Sequence, residues 1–325
     1  MNASALGRPL DRKSGFSLAP LREYGIVIAF VVLLVVLALS SPAFLTPTNL
    51  LNVADQWAPL GIVACGTTLV FIAGGFDLSA GAIYGLAGVI AAKVALEFDV
   101  AAGLLAGILA GAIAGGINGV LTTVGRINPF IATLSTSVII GGVALAISDG
   151  KIIRVVDEGF AALGQGRLFG ARYPVFLFAA VVVVLAVALH KTAWGRYLFA
   201  VGGNAEAARL SGLRVNALRA STYVVGGTCA GLAGVIVASR VGTGQADMAG
   251  PNLVLQAIAA VVIGGTSIMG GAGAIWRTVV GVYVLALIQN GFNLLNVDLI
   301  FQRIIFGFIL LTAVGIDAWS RRSSP

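Results

Sequence analysis

The sequence predicts an all-α polytopic membrane protein of about ten transmembrane helices, with broken or re-entrant segments and a pseudo-repeat. Three observations predict it. Hydrophobic residues make up 58% of the 325 and charged residues only 10%, against roughly 25% charged in soluble domains. That is too little charge to clothe a water-soluble globule of this size. Uncharged stretches at 24–54, 56–76, 100–125, 127–148, 173–189, 220–239, 248–276 and 278–297 offer the length a spanning helix needs, about 20 mostly apolar residues. The 44 glycines far exceed ordinary usage of about 7%, which suits helices whose backbones approach closely. Together these exclude a soluble enzyme, a disulfide-stapled secreted domain and a disordered chain.

The elements follow in order. The first span, near 24–41, is longer than a signal-peptide h-region and follows a mixed N-terminal tail, 1–23, so it reads as an uncleaved first helix. Spans near 57–73 and 79–96 are separated by Gly74 and Gly75, and this pair is a candidate re-entrant segment. A glycine-rich span covers 101–124. The next, 129–148, opens on Pro129, tolerated in a first turn where the missing N–H costs little. Spans at 174–190 and 219–239 flank the most polar interior segment, 191–219. Spans at 252–268 and 273–294 are interrupted by a second glycine block, and 299–318 ends the transmembrane domain at 319, before a tail at 320–325.

Charge placement orients the chain. With the N-terminus inside, 13 of the 20 basic residues fall on inner segments, as the positive-inside rule prefers. The 191–219 segment holds five basic residues and only Glu206 acidic, while the 149–172 loop is nearly balanced and fits the outer face. Both termini are therefore expected in the cytoplasm. The net charge of +7 needs no nucleic-acid partner.

Candidate sites come from breaks and polar residues. Residues 74–85, GGFDLSAGAIYG, echo 264–275, GGTSIMGGAGAI, each after an apolar run; paired glycine-broken segments point to a duplicated transporter core. Gly74, Gly75, Asp77, Ser79, Gly264, Gly265 and Thr266 are the gating candidates. Asp77 is a charge amid membrane-like sequence, expensive unless paired or wet; a cap for the helix starting near Ser79 is its plainer role. In 191–219, Gly202 and Gly203 break the chain, Asn204 suits an N-cap, and 205–210 makes a short exposed helix ended by Gly212. Glu206 and Arg209 sit as the helix dipole prefers. Asn128, Thr133 and Ser137 on the fifth span, and Asn290, Asn293 and Gln302 near the ninth and tenth, are candidates for a neutral substrate path, with helix–helix hydrogen bonding as the alternative use. Trp57, Trp194, Tyr197, Trp276 and Trp319 read as an interfacial belt. Cys65 and Cys229 read as buried small hydrophobes, and a lone His190 builds no metal cluster.

GRYLFAVGGNAEAARLSGL at 195–213 resembles the coupling loop of ribose-type (monosaccharide) ABC transporter permeases. GGFDLSAGA at 74–82, NPFIATLSTS at 128–137, QAIAAVVIGGTSIMGGAG at 256–273, NGFNLLNV at 290–297 and FQRIIFGFILLTAVGIDAW at 301–319 resemble the same family in the same order. The resemblance implies the inner-membrane component of a binding-protein-dependent importer. Its partners would be a cytoplasmic ABC ATPase, a periplasmic sugar-binding protein and a second permease copy, identical or similar. The chain itself would bind no cofactor and hydrolyse nothing: it lacks GxxxxGK[ST], and ATP and Mg would act on the partner. The coupling motif maps onto Gly202, Gly203, Asn204, Glu206, Ala207, Ala208, Arg209, Leu210, Ser211 and Gly212. One departure stands out: the family often reads GGRGSxxGT where this chain reads GGAGAIWRT, with Ala272 in place of a basic residue and Arg277 in place of glycine. Arg277 then needs an interfacial position or a carboxylate partner. Another small solute (an autoinducer, a nucleoside or a polyol) and a self-sufficient secondary carrier are the alternatives; a carrier would want several midplane carboxylates.

Overall fold

The computed structural model describes residues 19–249 and 252–322. The elements in order are α1 (Ala19–Ser40), α2 (Pro47–Ile72), α3 (Ala80–Glu97), α4 (Val100–Thr123), α5 (Pro129–Ser148), β1 (Ile153–Arg154), α6 (Glu158–Gln165), β2 (Arg167–Leu168), β3 (Ala171–Arg172), α7 (Tyr173–Lys191), α8 (Ala193–Gly203), α9 (Ala205–Leu210), α10 (Val215–Val241), β4 (Thr243–Gly244), α11 (Leu253–Ile263), α12 (Ile275–Leu294) and α13 (Leu299–Arg322). Among the described residues seven helices are long and apolar enough to cross a membrane: α2, α3, α4, α5, α7, α10 and α12. Apolar stretches of α1, α11 and α13 are shorter. The described strands form only two antiparallel pairs, β1 with β4 and β2 with β3.

The expected boundaries shift where capping chemistry overrides hydropathy. α2 starts ten residues before the expected 57 because Thr46 Oγ1 accepts from Asn49 N and Pro47 takes the first turn. It is one helix, wholly buried from Ala58 to Ile72, and the glycine break follows it. α1 begins at Ala19, inside the expected tail, and α13 runs to Arg322, past the expected 319. The tail up to residue 18, and residues 323–325, lie outside the described residues. α11 stops at Ile263, short of 268, at a glycine turn.

α2 is the central post. α10, α12, α7 and α11 pack around it, and α10 also packs on α4 and α3. The α4–α10 contact is built from backbone. Gly103, Gly107, Gly111, Gly115 and Gly119 recur every four residues along α4, and so occupy one face. A Cβ at Gly111 or Gly115 would collide with the carbonyls of Gly227 and Tyr223 on α10. Lipid supplies no hydrophobic drive between helices, so such close approach and its dispersion energy hold them.

Where Pro59 interrupts α2, it has no N–H for the carbonyl of Asp55. Arg240 of α10 supplies the missing donor: its Nη2 lies 3.0 Å from the Asp55 carbonyl oxygen and 2.9 Å from Asp55 Oδ1. Arg172 Nη1 reaches Oδ2 at 3.2 Å. Asp55 is buried, so the charge that broke the uncharged run is neutralised by two arginines. The same end is laced to the 149–172 segment: Ser239 Oγ accepts from Gly164 N at 2.7 Å, and Gln165 Nε2 donates to the Arg240 carbonyl at 2.9 Å.

Candidate functional site

Thr192 Oγ1 accepts from Gly195 N and opens α8. Asn204 then closes α8 and opens α9, its Oδ1 accepting from Glu206 N at 3.1 Å and Ala207 N at 2.9 Å. Gly212 ends the turn at φ +82°, in the left-handed region. Val201, Ala208 and Val215 form a small apolar cluster under the turn. On the outer face Glu206 and Arg209 flank the exposed Ala207 and Leu210, the latter 82% exposed. Glu206 and Arg209 pair with each other at 3.0 Å, both largely exposed, so each is held by its own helix; such surface pairs contribute only about 0.3–0.5 kcal/mol.

Three diglycines meet beneath this turn. Gly271 N donates to the Ile72 carbonyl at 2.9 Å. A Cβ at Gly202 would overlap that same carbonyl, one at Gly270 would meet Gly74, and one at Gly271 would meet Gly203. The ends of α2 and α8 and the 264–274 loop thus touch through bare backbone. Arg219 of α10 donates from Nε to the Ala73 carbonyl at 3.0 Å, a cation at the negative end of α2.

The two glycine-broken segments share a cap, displaced by one residue from the sequence echo. Gly74 has φ +73°, with Gly74 N on Phe71 O and Gly75 N on Val70 O. Gly265 has φ +76°, with Gly265 N on Val262 O and Thr266 N on Val261 O. Both are Schellman turns, and Gly74 therefore corresponds to Gly265, not Gly264. Gly264 instead lets α12 approach, against Arg277 and Thr278.

Asp77 sits in a buried polar chain. Its Oδ1 accepts from Ser79 N at 2.7 Å and Ser79 Oγ at 2.6 Å, so it secures the entry to α3. Asn118 Nδ2 donates to Ser79 Oγ at 2.7 Å, and Thr136 Oγ1 to Asn118 Oδ1 at 2.6 Å. Thr133 Oγ1 accepts from Leu78 N at 3.0 Å. This chain joins the 73–79 linker to α4 and α5. Among the described residues Arg277 finds no carboxylate; its guanidinium lies 6.0 Å from the Trp276 ring centroid, with Nε buried and without a hydrogen bond.

The substrate-path candidates divide. Asn128 caps α5 through Phe130 N and Ile131 N, Thr133 holds the linker, and Ser137 is half-buried on the same helix. α5 packs on α3 and α4, whereas α12 packs on α1, α2, α7 and α11. Asn290, Asn293 and Gln302 lie together on that second set. Gln302 Nε2 donates to Asn293 Oδ1 at 3.4 Å and to the Val297 carbonyl at 2.9 Å. Asn290 and Asn49 exchange amide bonds at 2.8 and 3.1 Å. Beside them is a cavity of about 250 Å³ whose lining adds Gln56, Trp57, Gln256 and Gln289. None of these four was a path candidate, and Trp57 read as belt. The available signal was a lone amide in an apolar run: Gln256 is the only polar side chain of LVLQAIAAVVI. Among the described residues no His/Cys/Asp/Glu cluster is placed to hold a metal ion, and Cys65 and Cys229 are free and buried.

Long apolar helices packed through glycine define a multi-pass membrane protein. The chain belongs to the family described as branched-chain amino acid transport system / permease component, which matches residues 49–314. By that match it is a transport permease component. It is 39% identical over 300 residues to the ribose import permease protein RbsC of Bacillus subtilis, covering 91% of this chain and 93% of that one. It is 38% identical over 329 residues to the L-arabinose transport system permease protein AraH of Escherichia coli, covering 99% and 98%. It is also 38% identical over 310 residues to RbsC of Escherichia coli, covering 93% and 95%. No solved structure matches the chain.

Proposed function

We propose that this chain is the membrane permease of an ATP-driven importer for a monosaccharide of the ribose or arabinose kind. The observation that carries the reading is the α8–α9 turn, presented at one end of the bundle and tied by backbone contacts to the central helix α2. A partner ATPase that closes on ATP and Mg would push the exposed face of α9, where Leu210 offers an apolar knob beside the Glu206–Arg209 pair. No flexible side chain lies between Gly202 and the Ile72 carbonyl, so displacement passes directly to α2. That helix has 26 residues and is about 39 Å long at 1.5 Å per residue, enough to carry motion across the bilayer. Pro59 and the Asp55–Arg240 pair lie about midway along it, and that pair then parts or re-forms with the two transport states.

In this reading α9 faces the cytoplasm, both termini are inside, and the 149–172 segment faces a periplasmic binding protein across a bacterial inner membrane. The basic residues support that orientation. A second permease copy completes the path, and selectivity rests mostly with the binding protein. The test is copurification with the ATPase in mild detergent, followed by ATP hydrolysis with sugar-loaded binding proteins. Stimulation by one of them supports the reading, and absence of a copurifying ATPase defeats it. Glu206→Lys with Arg209→Glu is expected to insert normally and uncouple hydrolysis from uptake; full sugar uptake would refute the role given to α9.

A further inference from the structure

We infer that the cavity between α2, α11 and α12 is a transient site for one neutral monosaccharide, read by Gln56, Gln256 and Gln289 against the ring of Trp57. The inference rests on the importer reading above and names the place where this chain itself touches the sugar. The cavity measures about 250 Å³ and adjoins a chamber of about 600 Å³ that α13 also walls; Trp57, Gln256 and Gln289 line both.

The hydrogen-bond inventory separates structural amides from free ones. Asn290 is occupied by Asn49, and Gln302 bonds Asn293 and the Val297 carbonyl. These are the interhelical bonds that amides in membrane helices usually make. Among the described residues the side chains of Gln56, Gln256 and Gln289 make no hydrogen bond; Gln56 and Gln289 are exposed and Gln256 half-buried, and all three line one open cavity between apolar helices. Each carries two N–H donors and a carbonyl acceptor. Facing lipid, such unpaired amides would be strongly disfavoured, so the open side of the cavity faces water or a polar partner rather than acyl chains. Three convergent unpaired amides therefore mark a space filled by water or a polar solute.

The chemistry of the solute follows from the lining. Amides donate and accept alike, as a hydroxyl does. No carboxylate lines either space, so nothing there selects a cation. Trp57 offers a flat apolar face of the kind that fixes a ring while a few polar groups orient it. The smaller cavity lies below the roughly 300–1,000 Å³ of typical drug-sized pockets, a size that suits one sugar ring. Arg303 lines the wider chamber alone, so an acidic sugar is the competitor to be tested.

The experiment uses the whole complex (permease, ATPase and binding protein) in proteoliposomes, with radiolabelled D-ribose, L-arabinose and D-galacturonate. Gln256→Leu and Gln289→Leu are each expected to lower the sugar moved per ATP hydrolysed by about tenfold, the effect of one net hydrogen bond of about 1.4 kcal/mol. Trp57→Phe should retain more transport than Trp57→Ala. Should a leucine variant fail to assemble, Gln289→Cys provides an independent readout. It should react with a charged, membrane-impermeant maleimide from one face, and the modified complex should stop transporting. An unchanged sugar-to-ATP ratio in assembled leucine variants, or an unreactive Cys at 289, would overturn the site. Preference for galacturonate would overturn its neutral assignment. Wild-type complex that hydrolyses ATP but carries none of these sugars would overturn the importer reading itself, and the site with it.

Discussion

Replacing Arg240 with Leu takes the donor from two acceptors of one residue, the Asp55 carboxylate and the Asp55 carbonyl that Pro59 leaves unpaired. Arg240 Nη2 bonds the carbonyl at 3.0 Å and Oδ1 at 2.9 Å, while Arg172 still reaches Oδ2 at 3.2 Å. An unsatisfied buried carbonyl costs about 1–3 kcal/mol. Losing one partner of a buried ion pair costs about 3–5 kcal/mol, reduced here because Arg172 remains and the Arg240 side chain is 18% exposed. The sum predicts a loss of about 3–4 kcal/mol for Arg240→Leu. Pro59→Ala restores the N–H that α2 lacks, so it repairs the carbonyl and not the carboxylate. It should be nearly neutral in the native chain and recover about 2 kcal/mol in the Arg240→Leu background. The assay is equilibrium unfolding in mixed mild and denaturing micelles across the four-member cycle. A coupling below about 0.5 kcal/mol, the usual scatter of additive sites, would refute the claim that Arg240 substitutes for the proline's missing donor.

Gly115→Leu should abolish monodisperse protein on gel filtration, since overpacking against backbone costs about 1–3 kcal/mol or more; Gly116→Leu, whose Cβ would meet only Val224 at 3.7 Å, should be tolerated. Gly271→Ala should uncouple ATP hydrolysis from uptake, because its added methyl meets Gly203 at φ +74°, whereas Gly203→Ala meets nothing within 4 Å and should transport normally. Equal transport by the two would dismiss the diglycine contact as a coupling element. Asn118→Leu removes one buried bond from each of Ser79 and Thr136, which keep Asp77 and the Thr133 carbonyl as partners, and should lower stability by about 1–2 kcal/mol, read as a fall in unfolding temperature; an unchanged temperature would show that the Asp77 chain is not held through α4.

Much of this protein was legible from one dimension. The fifth span was placed at 129–148 because Pro129 marks a first turn by local chemistry, and α5 has those bounds, with Asn128 as its cap. Asn204 as a cap followed from the same logic. The start of α2 was missed because Asp55 resembles a boundary until its two arginines, 117 and 185 residues away in sequence, are seen beside it. The repeat was visible, but its register slipped by one: GG at 74–75 and at 264–265 look equivalent, and only φ distinguishes which glycine closes the helix. Asn128, Thr133 and Asn290 looked like path residues because a polar side chain in a span has the same sequence appearance whether paired or free.

The sequence by itself determined the membrane class, the family and the short capped helix at 205–210, because hydropathy, caps and motif order are local properties carried by neighbouring residues; it expected about ten spans, and seven helices among the described residues are long and apolar enough to cross. Tertiary structure alone decided which glycines meet, that Asp55 is neutralised beside a proline break, and which amides stay unpaired in a cavity. Those depend on the approach of helices distant in the chain, and the energy of a polar or bare-backbone group in lipid is set by the partner that faces it.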